Sequence, residues 1–300
     1  MYTILGATGH TGSVVANKLL EQGKQVRVVG RDAKKLAPLV SRGAEAFVGD
    51  ATDADALGRA FSGAEAVYAL IPPNMTTDDV RGYQDQVTNA VAKAIESAKV
   101  KYAVVLSSIG ADKPDKTGPV VGLHYMEGKL SKISGLNALF LRAGYFMENT
   151  LAQVGIIRNF GMMAGPVRAD LALPMIATRD IGAVAADALV RLDFHGPQTR
   201  ELLGQRDVTY NDVAKIAGAA IGKPALMYVE LPAEQVIQAM MGMGMSKNLA
   251  TLICEMADAL NNGYMKALEA RSAKNITPTS FEAFVQELFL PAYKGQAASA

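Results

Sequence analysis

An α/β fold built on a doubly wound parallel sheet, with a smaller and mostly helical C-terminal lobe, is what this sequence predicts. Three observations predict it. Short apolar runs alternate with segments of helical period through the first half of the chain. Those runs are apolar on consecutive residues, as strands covered on both faces require. A glycine-rich turn, Gly6-Ala-Thr-Gly9-His-Thr-Gly12, joins the first run to the first helical segment.

The elements follow in order. Tyr2–Leu5 reads as the first strand, and residues 13–21 place Val14, Val15, Leu19 and Leu20 on one helix face, with Gly23 ending the helix. Further strands are expected at residues 26–29, 44–48, 66–71 and 102–106. Asp53 is positioned to cap a helix over Ala54–Phe61 that ends near Gly63, and a long amphipathic helix spans residues 80–99. Residues 139–142 suit a sixth strand. Beyond them Pro166, Pro174, Pro197, Pro224 and Pro232 punctuate shorter elements, and helices are expected at residues 180–192, 236–245, 249–268 and 281–290. The division expected is a dinucleotide-binding domain over residues 1–150, a substrate-binding lobe over 151–300, and a return of chain 176–195 to the first domain. Residues 295–300 have little to pack and are expected to fray.

The chain has 300 residues, 50% of them hydrophobic, with 30 Lys and Arg against 29 Asp and Glu, a formal net charge of +1. So even a balance gives no field to gather nucleic acid or an anionic membrane. The single cysteine, Cys254, excludes an internal disulfide or a multi-cysteine metal site and reads as core filler. With no apolar run of spanning length and no leader, the expectation is a soluble, cytoplasmic protein without a metal.

Three glycines directly after a strand allow both a tight turn and close backbone approach to a pyrophosphate, and the following helix aims its N–H groups at it. The loop Gly6, Thr8, Gly9, His10, Thr11 and Gly12 is therefore the candidate diphosphate site of a Rossmann-type fold. A carboxylate holding the ribose 2′-OH normally ends the second strand, but here Gly30 stands at that place, followed by Arg31, with Lys35 one helical turn on. Two cations suit a 2′-phosphate, so NADP(H) is favoured over NAD. Asp32 is either a ribose ligand or a helix N-cap, and Asp50 either an adenine contact or a loop cap.

Reduction of a carbonyl or quinone calls for a proton donor. Tyr125 and Lys129, four apart on a helix after the fifth strand, share a face and could form one; their plainer reading is a solvated flank. Ser107, at the end of that strand, could polarise the substrate oxygen. His124 is an alternative acid. Met240-Met241-Gly-Met243-Gly-Met245 suits either an adaptable apolar pocket or gap-filling in a helical lobe.

Together with Val48-Gly49-Asp50, Ser107-Ser108, Leu141-Arg142-Ala-Gly144-Tyr145-Phe146-Met147-Glu148-Asn149 and Ala177-Thr178-Arg179-Asp180-Ile181-Gly182, these features resemble the atypical short-chain dehydrogenase/reductases, in particular the NmrA-like family, over nearly the whole chain. The resemblance implies bound NADP(H) and a nicotinamide near Ile71, Pro72, Ser107 and residues 145–149. It implies an NADPH-dependent reductase of a small apolar acceptor such as a quinone or enone. Its alternative is a non-catalytic NADP(H) sensor acting through a protein partner; a homodimer is also compatible, and an epimerase lacks any sugar-nucleotide cue.

Overall fold

The computed structural model describes residues 1–296. Six strands alternate with helices along the first half: β1 (Tyr2–Leu5), β2 (Val26–Gly30), β3 (Glu45–Val48), β4 (Ala66–Ala69), β5 (Tyr102–Ser108) and β6 (Asn137–Ala143). They pair in parallel in the order β3-β2-β1-β4-β5-β6. The order reverses direction at β1, and that switch opens a crevice at the carboxyl ends of β1 and β4.

Helices cover both faces. The connections α1 (His10–Glu21) and α2 (Ala33–Val40) pack on one face, and α3 (Ala54–Phe61), α4 (Val80–Ala98) and α5 (Val120–Leu130) on the other. Neighbouring strand residues divide between the two cores. Ile4, Val28, Tyr68 and Val104 face α1, whereas Leu5, Val29, Val67 and Val105 face α3 and α4. Both sets are fully buried, which is why the strands read as continuous apolar runs. Asp53 caps α3, accepting from the N–H groups of Asp55 at 3.0 Å and Ala56 at 2.9 Å.

The second half begins with β7 (Tyr145–Phe146), a 3₁₀ turn over Met147–Ala152, α6 (Gln153–Phe160), β8 (Met163–Gly165) and β9 (Leu173–Ile176). Helix α7 (Thr178–Arg191) then packs into the core of the first half through Ile181, Ala185 and Leu189. At Gly182 a methyl group would lie 2.6 Å from Val14 Cβ and 2.8 Å from the Thr11 carbonyl, so only glycine lets α7 approach α1 this closely. Glu148 caps α7, accepting from the Thr178 N–H at 3.0 Å and hydroxyl at 2.6 Å. Asp180, in the first turn, accepts from the Thr279 N–H at 2.9 Å and hydroxyl at 2.7 Å.

After α7 comes β10 (Pro197–Leu202), a seventh parallel strand beside β6. The sequence concealed it as a proline-marked connection. It lies at the sheet edge with its first three residues exposed, so it lacks an apolar run, and its proline sits at the strand start where no ladder N–H is lost. The remainder is β11 (Asp207–Val208), α8 (Tyr210–Ala220), β12 (Tyr228–Glu230), α9 (Ala233–Gly242), α10 (Lys247–Asn261) and a helical segment over residues 281–293 with a π stretch at Val285–Phe289. The helix expected over 249–268 stops at Asn261. Gly263 takes φ +75, and the Met265 N–H turns back to the Ala259 carbonyl at 2.8 Å. Gly295 and Gln296, expected to fray, donate to the Ala292 and Pro291 carbonyls at 3.1 and 3.0 Å; residues 297–300 lie outside the described residues. No helix among the described residues is long and apolar enough to cross a membrane, and no cluster there has the makings of a metal site.

Candidate active site

The glycine loop turns at Gly6, whose φ is +68, and the Gly9 N–H donates to the Gly6 carbonyl at 2.9 Å. A methyl at Gly12 would lie 2.3 Å from that carbonyl oxygen, so helix α1 starts against the turn with no space for a side chain. Gly9 caps α1 without a side-chain acceptor, and no acidic residue occupies the first turn. The opening N–H groups are thus left for an external anion. Thr8, Gly9 and His10 are exposed at the tip. The Thr11 side chain is buried, and its oxygen accepts from the Tyr68 hydroxyl at 2.9 Å, fastening the loop to β4.

At the end of β2, a methyl at Gly30 would meet Leu36 Cδ2 at 3.2 Å, so any side chain there would have to push Leu36 aside by a few tenths of an ångström. Arg31 and Lys35 are exposed, and neither has a hydrogen-bond or ion-pair partner among the described residues. Asp32 takes the capping role, accepting from the Lys34 N–H at 2.8 Å. Asp50 accepts from the Thr52 N–H at 2.8 Å and hydroxyl at 2.7 Å, contacts that close its own loop. The Thr52 N–H foremost, with Arg31 adding, holds the Asp50 carboxyl below its ordinary value. Tyr83 on α4 completes this end; burial and then the Asp50 charge push its phenol up.

Next to the loop is a cavity of about 380 Å³. Its walls come from residues 70–75 after β4, the start of α4, the end of β5, the first turns of α5, the Gly144–Asn149 segment, and α10 with Met265. The surface is apolar apart from a few groups. Ile71, Pro72 and Ser107 line it, and Leu70 does so while packing 3.2 Å from where a Gly6 methyl would stand.

Tyr125 and Lys129 do not line it. Val120 and Leu123 turn toward the cavity, and at about 100° per residue Tyr125 is carried to the far side of α5. Tyr125 is 55% exposed, and Lys129 is likewise exposed. Their pairing as proton donor is therefore corrected: both belong to a solvated flank. His124 is also outside, its Nδ1 2.8 Å from the Ala111 carbonyl in a separate shallow cleft. Ser107 is in place but faces the other way chemically. Its hydroxyl donates to Glu127 Oε1 at 2.6 Å, and Glu127 is gripped by Arg142 through Nε at 3.0 Å and Nη2 at 2.6 Å. Sequence reasoning missed Glu127, although an arginine within the buried strand β6 signalled that a carboxylate must meet it.

Tyr145 supplies the cavity with a phenol. Its oxygen lies 2.9 Å from that of Tyr210, which stacks on Tyr228 with ring centroids 4.3 Å apart. Tyr210 is buried and has no other hydrogen-bond partner among the described residues. Either hydroxyl could donate; the arrangement that satisfies the buried Tyr210 O–H has it donate to Tyr145, which would leave the Tyr145 proton for the cavity side, where Asn149 also bonds this phenol. Burial pushes both phenols upward, that of Tyr210 strongly. The thioethers in the wall belong to Met75, Met256 and Met265. The Met240–Met245 patch lies elsewhere, with Met243 69% exposed. Cys254 is buried, and burial raises its thiol.

An NAD(P)H azoreductase of Xenophilus azovorans is 32% identical over 269 residues, which span 89% of this chain and 87% of that protein. The crystal structure of an Escherichia coli NADPH-dependent quinone oxidoreductase complexed with NADPH superposes with a TM-score of 0.80 at 24% identity, over 96% of this chain and 100% of that one. A Citrobacter sp. triphenylmethane reductase complexed with NADP(H) gives a TM-score of 0.75 at 20% identity, over 95% and 99% of the two chains. Residues 2–285 match the pattern of one family. On that match and on the azoreductase identity, the chain belongs to the NmrA-like family.

Proposed function

We propose that this protein is an NADPH-dependent reductase that passes hydride to a small apolar acceptor such as a quinone or enone. The observation that carries this reading is contiguity: Leu70 packs on Gly6 at the diphosphate cradle and is also a wall of the apolar cavity. Three relatives are named as reductases of azo compounds, quinones and triphenylmethane dyes, which supports acceptors of that kind.

The residues fit the dinucleotide. The N–H groups of His10, Thr11 and Gly12, which have no partner among the described residues, would hold the diphosphate, with Gly6 making the turn and Thr8 and His10 at its rim. Arg31, backed by Lys35, meets the 2′-phosphate, and the Asp50 and Tyr83 edge borders the adenosine. Ile71 and Pro72, on the cavity wall, would border the nicotinamide. When bound there, the reduced nicotinamide supplies the hydride. The apolar walls exclude water from the acceptor, and the Tyr145 hydroxyl, its oxygen receiving the Tyr210 proton, donates to the acceptor oxygen as charge develops on it.

The test is NADPH oxidation, followed by absorbance, against a panel of a quinone, an azo dye and an enone. Turnover with at least one is expected. No consumption with any of them, alongside calorimetric binding of NADPH, would overturn the reductase reading in favour of a dinucleotide sensor, which the exposed placement of Tyr125 and Lys129 also allows.

A further inference from the structure

The one serine hydroxyl of β5 that both lines the cavity and bonds a buried carboxylate is held in a single polarity. Ser107 is 2% exposed and Glu127 7%. Both Glu127 oxygens already receive an Arg142 N–H, so the carboxylate enters the Ser107 contact as acceptor and the serine as donor. No group among the described residues donates to the Ser107 oxygen in return. Its remaining lone pairs are unfilled at the wall of an apolar cavity, where an unmet polar atom is costly.

We propose that Ser107, locked by Glu127 and Arg142, is a hydrogen-bond acceptor in the cavity and selects ligands that present an O–H or N–H there. This deepens the reading of the cavity as the acceptor site and rests on it. The two polar features of the wall are then complementary. Tyr145 offers a proton and Ser107 receives one, so a ligand with a donor on one edge and an acceptor on the other matches both. A phenol or hydroquinone carries such a donor, and so does the carboxamide N–H₂ of a nicotinamide; a quinone carries none, so with a quinone acceptor the Ser107 contact falls to the carboxamide or to the hydroquinone product. Glu127 acts through Ser107 and is a positioning residue.

The experiment is calorimetric binding of a naphthol and of its methyl ether, which share the apolar ring and differ in the O–H, to the full chain with and without NADP⁺. The naphthol is expected to bind about three- to tenfold more tightly, the range of one neutral hydrogen bond. Ser107→Ala should abolish that preference while sparing the ether. Glu127→Gln should reduce or reverse it, because the amide donates to Ser107 and frees the serine proton for the cavity. Ser107→Ala, a small change inside an intact strand, keeps the test decisive if the Glu127 variant fails to fold. A preference that persists with NADP⁺ assigns the donor to the acceptor-side ligand, and one that vanishes assigns it to the nicotinamide carboxamide; both uphold the acceptor role. Equal binding of the two probes to the wild-type protein, or a preference untouched by Ser107→Ala, would overturn the inference and leave the reductase reading standing. Failure of both probes to bind would also overturn the inference, and the reductase reading would then stand or fall on the NADPH-oxidation panel alone.

Discussion

Arg31 and Tyr145 show how much one side chain is asked to do. Arg31 has no partner within the described protein, so its guanidinium keeps all five donors for a ligand. Replacing it with alanine should weaken NADPH about ten- to a hundredfold, as loss of hydrogen bonds to a charged group does, and leave NADH within about twofold. Calorimetry with the two coenzymes measures this, and equal weakening of both would place the 2′-phosphate elsewhere. Tyr145→Phe keeps the ring and removes the proton that Tyr210 frees for the cavity. Turnover with a quinone should fall about a hundredfold while the NADPH Kd stays unchanged. An unaltered kcat would mean that the proton comes from solvent.

At the scale of the element, two helix starts contrast. The start of α1 is bare, and a methyl on Gly12 would drive it off the Gly6 carbonyl. Gly12→Ala should therefore eliminate calorimetric NADPH binding while the far-ultraviolet circular dichroism stays native; retained binding would show that the turn can open. The start of α8 is closed instead. Thr209 and Asp212 form a capping box, in which Asp212 accepts from the Thr209 N–H at 3.0 Å and hydroxyl at 2.7 Å. The Thr209 N–H foremost holds the Asp212 carboxyl below its ordinary value of 3.8. A carboxyl lowered by folding stabilises the fold above its unfolded value, and that contribution fades as pH falls through the folded value. Asp212→Asn should cost about 0.5–1 kcal/mol at neutral pH. The gap to wild type should narrow below about pH 4. Denaturation midpoints at several pH values decide it, and a gap constant down to pH 3 would contradict it.

Across the whole molecule, α7 is the joint. It packs against the first half through Gly182, is capped from the second half by Glu148, and holds the C-terminal chain through Asp180 and Thr279. Its own residues are small where it crosses α1, and the close approach leaves no slack. Gly182→Ala should destabilise the protein by about 1–3 kcal/mol, the cost of overpacking a tight contact. Urea denaturation measures this, and an unchanged midpoint would show that the two helices separate freely.

Order within the first half was legible in the chain because each βαβ unit is local: an apolar run, a turn residue and a helical stripe lie within about 30 residues. The glycine loop, the Asp53 and Asp32 caps and the missing acid at Gly30 are of this kind, since backbone geometry fixes their roles within a few positions. The cavity was not legible, for it joins residues far apart in sequence. Ser107 meets Glu127 and Arg142, Tyr145 meets Tyr210, and α10 closes over the end of β5. The rotation of α5 is the sharpest case. Tyr125 and Glu127 are two residues apart, roughly 200° around the helix, and either could have faced the strand. Burial of Arg142 in β6 required a carboxylate opposite it, so packing turned Glu127 inward and Tyr125 out to water.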